Sequence, residues 1–546
     1  MKLKKNSFMQ GAFVATLGIV ITKIIGILYV IPFYSIIGEQ GGALYGYAYN
    51  IYSIFLGIST AGIPLAISKI TSEYSTLGYY EEKERAFKLS RMFLTSVGII
   101  CFLLLFIFAK DISYMIIGNI TGGNTREDVT FVIRTISTAI LIIPTVSVYR
   151  GYFQGHKFIT PTSISQVLEQ IFRVTIIIGG GYILKYVFHL NTRDIVGVAV
   201  FAATIGGLVS YLYLRIKMSK NKSLFIEKSE SKEKKVRVTD KEIIKKVFVY
   251  AIPFIMIDLF KSLYNSVDIM MLVKQLVNNY GYTVKDAESI MSVISVWGNK
   301  LNMMVSAGFT GITTSLIPSL TSSFVKKDKE AVNNKINQAY KLTTYVVIPM
   351  VIGLSFLSSP VWNIFYGNSN FGPLVYKYFV FVALFSGLFS TTIIIIQVLK
   401  EYKTVFISLI AGILTKIILN IPMLYLFKKI GLPVFYGAIT ASIIGYLLGM
   451  FISIYVMKKK YSINFKEFLQ ELIHILIGII CMLIVLCLIK LFIPIVPYGR
   501  FKAILVTIVY ALLGAGTYFG VTYKLGSIKN IFGVDSISKA IKKFRR

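Results

Sequence analysis

The chain has 546 residues, 55% of them apolar and only 15% charged, yet 58 Lys and Arg stand against 25 Asp and Glu for a net charge of +33. A soluble protein this apolar would expose large adhesive patches, and a nucleic-acid binder would carry its basic residues on an otherwise ordinary polar surface. Together with a mean hydropathy of +0.70, the balance fits a multi-spanning inner-membrane protein whose basic residues lie in loops.

The amino terminus is basic and leads straight into an apolar run at 11–38. That run is too long for a signal-peptide core and is followed by no small-residue cleavage site, so it reads as a retained first span. A helix needs about 20 apolar residues to cross the hydrocarbon core. On that rule the sequence predicts fourteen spans, at 11–38, 44–70, 91–109, 129–153, 163–188, 194–217, 247–273, 291–320, 341–366, 373–399, 404–428, 433–457, 467–494 and 502–524. Loops and tails take the rest, leaving no large soluble domain.

Most basic residues fall on the side of the amino terminus. The richest loop, 215–246, includes Lys232, Lys234, Lys235 and Arg237; Lys458, Lys459 and Lys460 and the tail residues Lys542, Lys543, Arg545 and Arg546 lie on the same side. The asymmetry predicts a plasma-membrane protein with both termini cytoplasmic. These runs read as topology determinants and contacts to anionic membrane lipids rather than to nucleic acid.

Cys101, Cys481 and Cys487 all sit in apolar runs without paired spacing, and His156, His189 and His474 are scattered. A disulfide framework or metal site is not expected. No phosphate-binding loop, GxSxG or dinucleotide fingerprint is present, which disfavours an ATP-driven pump in one chain. No cofactor is expected.

Two stretches repeat. Shifted by 243 positions, residues 154–182 land on 397–425: Gln154 meets Gln397, Lys157 meets Lys400, Ile164 and Ser165 meet Ile407 and Ser408, Arg173 meets Lys416, and Tyr182 meets Tyr425. At an offset of 250, Ile67, Thr71, Ser72 and Tyr74 meet Ile317, Thr321, Ser322 and Phe324. The offset is six spans, and an even number keeps both copies in one orientation, as in a parallel repeat. The predicted organisation is an N-lobe at 1–217, a basic cytoplasmic linker at 218–246, a C-lobe at 247–457, two added spans within 458–524 and a basic cytoplasmic tail at 525–546.

Charges inside spans are costly and usually face a cavity. The deepest are Lys23, Arg134, Glu169, Arg173, Asp258, Lys261, Asp268, Lys300 and Lys416. Basic residues outnumber acidic ones, which suits an anionic cargo such as a diphosphate. Glu169 and Arg173 are four apart and can pair on one helix face, and Asp258 and Lys261 three apart can do the same. Lys416 repeats Arg173 and reads equally as a packing residue, while Asp268 reads equally as a partner for a basic residue of span 8. Lys23 and Lys300 have no acidic residue within one turn, which makes them the strongest candidates for cargo contact.

Glycine and proline interrupt several spans: Gly57, Gly62 and Pro64; Gly298, Gly308, Gly311 and Pro318; and Gly179, Gly180 and Gly181. They can bend a helix or let two helices approach closely. Tyr45, Tyr47, Tyr49 and Tyr52 read as an interfacial aromatic belt.

The stretch from Arg150 through Gly-Tyr-Phe-Gln-Gly-His-Lys, followed by Pro161-Thr-Ser-Ile-Ser-Gln-Val-Leu-Glu-Gln-Ile-Phe-Arg173, resembles the signature of polysaccharide-type transporters of the MOP superfamily. It is most similar to the stage V sporulation protein B and YtgP/MurJ-like lipid II flippase group. The segments around Gly41, Ser59, Ser68, Leu263, Leu316, Phe365 and Tyr523 agree. The resemblance implies an all-α, polytopic, MATE-like two-lobe fold of about 14 TM helices with parallel six-helix repeats. It further implies a cavity lined mainly by spans 1, 2, 7 and 8 and a groove for the lipid tail formed with spans 13 and 14. By position, Lys23, Lys300 and Lys69 match basic residues of the family; Lys261 matches no family motif. Several lipid II flippases use arginines in the cavity, and lysine lacks their bidentate geometry.

The expected function is a non-enzymatic flippase that moves an undecaprenyl-diphosphate-linked cell-wall precursor, lipid II foremost, from the inner to the outer leaflet by alternating access. Lys23, Lys261, Lys300 and Lys69 would bind the substrate, with Asp258, Asp268, Glu169, Arg173 and Arg134 as charge partners. Partners would be the lipid-linked diphosphate sugar, membrane lipids and a coupling ion of unspecified identity. The alternatives are a flippase for another lipid-linked oligosaccharide or spore-cortex precursor, and a cation-coupled drug exporter of the same superfamily. The drug exporter would usually have twelve spans and a more acidic or apolar site.

Overall fold

The computed structural model describes residues 5–6, 8–60, 62–225, 238–495 and 499–532. The linker run Lys232, Lys234, Lys235 and Arg237 and the basic tail from 533 onward lie outside the described residues. All regular structure among the described residues is helical. Eleven helices are long and apolar enough to cross a membrane, the first counted from Val30 to Leu77. The helix Phe8–Leu28 supplies the opening span, and Asp240–Tyr280 and Gly298–Val325 supply the seventh and eighth. The chain is therefore an all-α polytopic membrane protein with about fourteen spans.

The interruptions expected from glycine and proline are present, each with a local cause. The first span ends at Gly38, which sits at φ 65° inside the helix Val30–Thr60. Gly62, at φ 70°, separates that helix from Ile63–Leu77, whose first turn carries Pro64. A left-handed backbone is open to glycine at no steric cost, and proline is pre-set for a helix start. Gly179 and Gly180 fall in or beside a π turn at Ile176–Gly180, and a second π turn, Val293–Trp297, precedes Gly298. Gly57 is different: a Cβ there would meet the Cβ of Asp258 at 3.8 Å, an ordinary contact.

Helix starts outside the hydrocarbon follow ordinary capping chemistry. Thr125 and Asp128 form a reciprocal capping box at 3.1 and 3.0 Å. Thr239 and Glu242 form another at 2.8 and 3.3 Å. Each satisfies two otherwise orphaned backbone donors.

The repeat is visible in backbone geometry. Lys157 and Lys400 both adopt φ 62°, and each donates its N–H to the carbonyl three residues back at 2.9 Å. This is the 243-residue offset seen in the sequence. The helices Ala109–Ile117 and Ser358–Tyr366 are both nine residues long. They end on Gly118 and Gly367, at φ 68° and 77°, and these glycines are 249 residues apart. Gly78 and Lys327, also 249 apart, both close helices with positive φ. The second match thus has an offset of 249 in backbone terms, one less than the side-chain pattern indicates.

Contacts divide the chain into two compact units, Met1–Trp297 and Gly298–Arg546. This boundary falls later than the basic linker. The seventh span and the lead-in to the eighth pack with the first six, although the repeat assigns them to the second copy. In the amino-terminal unit, small residues allow tight helix packing. A Cβ on Gly151 would lie 2.6 Å from the carbonyl oxygen of Pro64, and one on Gly206 would lie 2.7 Å from that of Glu169. In the carboxy-terminal unit, Gly449, the repeat counterpart of Gly206, would bring a Cβ to 2.7 Å from the carbonyl oxygen of Ser408.

Candidate functional site

The polar residues of the amino-terminal unit that include or adjoin the sequence candidates group in three places. The first lies between spans 4, 5 and 6. Arg150 forms an ion pair with Glu169 at 2.6 Å, with side chains only 13% and 22% exposed. The same guanidinium donates to Ser165 at 3.1 Å and to Ser210 at 2.9 Å. Glu169 therefore pairs across helices with Arg150, not with Arg173 one turn along its own helix as the spacing suggested. Arg173 instead donates to the hydroxyls of Tyr45 at 3.1 Å and Tyr49 at 3.4 Å, and lies 5.1 Å from the Tyr49 ring centre.

This arrangement corrects the reading of the tyrosines. Tyr45, Tyr47 and Tyr52 are 3%, 0% and 2% exposed, so they are interior residues and not an interfacial belt. Tyr45 and Tyr49 stack at 5.5 Å. A guanidinium inside a span needs polar acceptors and π faces where water is absent, and these rings supply both.

The second place is a seam between the helices Val30–Thr60 and Asp240–Tyr280. Asn50 accepts from Ser266 at 2.8 Å, and Ser53 donates to Ser262 at 3.3 Å. Gly57 faces Asp258 one turn further along. In the other direction, a Cβ on Gly46 would meet the Ser295 hydroxyl at 2.3 Å. Positions 46, 50, 53 and 57 recur at helical spacing on one face. Asp268, 4% exposed, lies on the same long helix as Asp258. The side chain of Lys261 lies outside the described residues.

The third place joins the carboxy-terminal end of span 2 to the amino-terminal end of span 7. Lys69 lies 3.9 Å over the ring of Tyr250, which joins span 2 to span 7. Close by, Lys246 pairs with Glu73 at 2.7 Å and lies over Tyr74. Partial burial pulls the Lys246 ammonium down, but Glu73 and Tyr74 together hold it above its ordinary range.

The remaining sequence candidates are dispersed. Lys23 is half-buried on Phe8–Leu28. Arg134 donates to the carbonyl of Phe106 at 3.3 Å and covers that ring, a packing contact between spans 3 and 4. Lys300 is half-buried in the first turn of Gly298–Val325, in the carboxy-terminal unit. Lys416 is 1% exposed. Asn50, Ser53, Ser262 and Ser266 escaped the sequence reading because uncharged polar residues in a span carry no hydropathy penalty large enough to flag. Their spacing, read as a helical stripe, was the available signal.

The carboxy-terminal unit contains an apolar cavity of about 300 Å³. It is lined by Val346, Met350, Leu354, Leu486, Ala511 and Tyr518, among others, from the helices Lys329–Phe356, Lys466–Phe492 and Arg500–Lys524. Spans 13 and 14 thus form one wall of a hydrocarbon-lined recess.

A family model described as "Polysaccharide biosynthesis protein" matches residues 8–324, and one described as "Lipid II flippase MurJ" matches residues 301–508. The lipid II flippase MurJ of Bacillus subtilis (strain 168) is 30% identical over 97% of both chains. A solved lipid II flippase MurJ in an inward closed conformation superimposes with a TM-score of 0.64 at 17% identity, covering 94% of this chain and 99% of that one. An inward-facing multidrug-resistance MATE transporter of the MOP superfamily gives a TM-score of 0.60 at 13% identity, covering 82% and 98%. The fold is thus the MATE-like fold of this superfamily, and on the strength of the family match and the full-length similarity the chain belongs to the polysaccharide biosynthesis proteins and to the lipid II flippase MurJ group.

Proposed function

We propose that this protein is a flippase for a lipid-linked diphosphate sugar of the lipid II class, moving it between leaflets by alternating access. The full-length similarity to a lipid II flippase carries the reading. The chemistry of the chain supports it. Translocation breaks no bond, so polar seams and cationic side chains suffice without a catalytic cluster. Lys23, Lys69, Lys261 and Lys300 are assigned to the diphosphate, with Asp258 and Asp268 as charge partners on the seventh span. Glu169, Arg173 and Arg134 are assigned to hold helices of the first lobe. The apolar recess beside spans 13 and 14 suits a prenyl chain, which meets there a surface as apolar as the lipid tails around it.

The excess of basic residues in loops supports cytoplasmic termini. The repeat supports lobes at 1–217 and 247–457, joined by the linker 218–246. Energy is assigned to the membrane potential or an ion gradient; one charge crossing 100 mV gains about 2.3 kcal/mol.

The test is flipping of labelled lipid II in proteoliposomes. Lys23→Ala with Lys300→Ala is expected to lower the rate at least tenfold while leaving the melting temperature unchanged. A wild-type rate in the double variant overturns the lysine assignment. Failure of the wild type to flip lipid II overturns the cargo.

A further inference from the structure

A buried carboxylate outside all these groups ties three segments of the amino-terminal unit together. Glu288 lies on Val284–Ser292, the short helix leading into the eighth span, and is 1% exposed. Both of its oxygens accept from the backbone N–H of Asn124, at 3.0 and 3.2 Å. Asn124 belongs to the connection between Ala109–Ile117 and Arg126–Ser137, and its side chain donates to the carbonyl of Gln40 at 3.1 Å. The neighbouring Ser289 donates to Glu39, which also accepts from Tyr34 at 3.1 Å. Gly123 makes the fit possible, since a Cβ there would stand 2.6 Å from a Glu288 oxygen. Glu288 thus closes a latch between the start of span 2, the connection at 118–125 and the entrance to span 8.

We propose that Glu288 is a proton-binding site, and that its protonation holds residues 118–125 against Val284–Ser292.

The surroundings favour the neutral acid. Burial, with a smaller push from the charge of Asp128, outweighs the hydrogen bonding from Asn124 and raises the carboxyl to about 7. The charged and titratable groups facing it are Asp128 on the fourth-span helix, Glu39 through Ser289 on the second, and Tyr47, whose own hydroxyl feels the Glu288 charge. Arg193 approaches Asp128 at 3.9 Å from the sixth-span helix. Lys285 is on the same short helix and exposed.

The sign follows from linkage. A carboxyl that opens to water returns to the ordinary range near 4.3. The latched form therefore binds the proton more tightly than the open form, and acid favours the latch. Between about pH 4.5 and 7 the latched-to-open ratio falls roughly tenfold per pH unit, and the proton's contribution is gone above about pH 7. The Asn124 N–H only partly offsets the cost of burying an ionised Glu288 beside Asp128, and hydration on lifting the connection relieves the rest.

Spin labels report this motion on the full chain. They are placed at Thr121→Cys and Lys285→Cys, with Cys101, Cys481 and Cys487 replaced by Ser, in nanodiscs at one pH on both faces. The expected result is a dominant short distance at pH 5.5 and a longer population that grows as pH rises toward 7 and levels off above it. Glu288→Gln, a permanent mimic of the neutral acid, keeps the short distance at every pH. Asp128→Asn removes a like charge and moves the midpoint to lower pH, which tests the site if Glu288→Gln does not fold. A wild-type distance that ignores pH overturns the proposal. So does a Glu288→Gln transition like that of the wild type, or a Glu288→Gln form open throughout. So does an Asp128→Asn midpoint that stays or rises. The readout is a distance, so its failure is separate from any failure of the cargo assignment.

Discussion

Arg150 and its neighbours show how one substitution rewires a repeated element. In the amino-terminal unit Ser165 and Ser210 both accept from the Arg150 guanidinium. Their counterparts 243 residues later, Ser408 and Ser453, bond directly to each other at 2.8 Å. There Ile393 replaces Arg150 and Gly412 replaces Glu169. The arginine is thus inserted between two serines that would otherwise meet, and Glu169 balances its charge. Removing one partner of a mostly buried pair leaves the other uncompensated, which costs about 3–5 kcal/mol, whereas replacing both by apolar residues is often neutral. Arg150→Ile alone is expected to lower the melting temperature of the detergent-purified protein markedly, and Arg150→Ile with Glu169→Leu to restore most of it. A double variant no more stable than the single one would contradict the inserted-pair account. The charge types of Glu169 and Arg173 were legible in the sequence. Their partners were not, because spacing along one helix is silent about which neighbouring helix offers an acceptor closer at hand.

At the scale of elements, glycine spacing is what lets spans meet. Gly42 and Gly46 lie one turn apart on Val30–Thr60. A Cβ on Gly42 would sit 2.2 Å from the indole nitrogen of Trp297, and one on Gly46 would sit 2.3 Å from the Ser295 hydroxyl. Trp297 is 0% exposed and packs edge-on against Phe33 and Tyr34 at 5.8 and 5.1 Å. The indole therefore has little room to yield. Gly42→Val is expected to destabilise the fold by about 1–3 kcal/mol through overpacking. Gly353→Ala serves as the control, since a Cβ there meets nothing within 4 Å. Thermal melting of the two variants checks the difference, and equal melting temperatures would remove Gly42 from the packing account. The sequence announced Gly62 and the glycines near 179 as interruptions, because a cluster of small residues breaks hydropathy visibly. Gly42 and Gly46 stayed hidden, since a close approach depends on the partner helix. The nine-residue helices ending at Gly118 and Gly367 were also missed: each is shorter than a span, the first falling in the connection after 91–109 and the second absorbed into the run 341–366.

For the whole molecule, span count and family followed from hydropathy and motif, since about fourteen apolar runs and one specific hairpin signature survive without any knowledge of packing. The compact division at Trp297 did not, because the repeat records ancestry of sequence whereas contacts record how the seventh span packs. Orientation rests on charge. Lys458, Lys459 and Lys460 end the helix Tyr436–Tyr461, while Thr121 lies after an odd number of spans, on the opposite face. Moving several lysines across the bilayer is opposed by the membrane potential at about 2.3 kcal/mol per charge per 100 mV, and anionic lipid on the cytoplasmic leaflet adds about 1 kcal/mol for each. The lysine-rich face should therefore be cytoplasmic. In intact cells, a membrane-impermeant maleimide is expected to label Thr121→Cys and to spare Lys459→Cys until the membrane is broken. Native Cys101 is buried, and Cys481 and Cys487 lie within a span, so background should be low. The reverse pattern would invert the topology, and with it the direction in which cargo is carried.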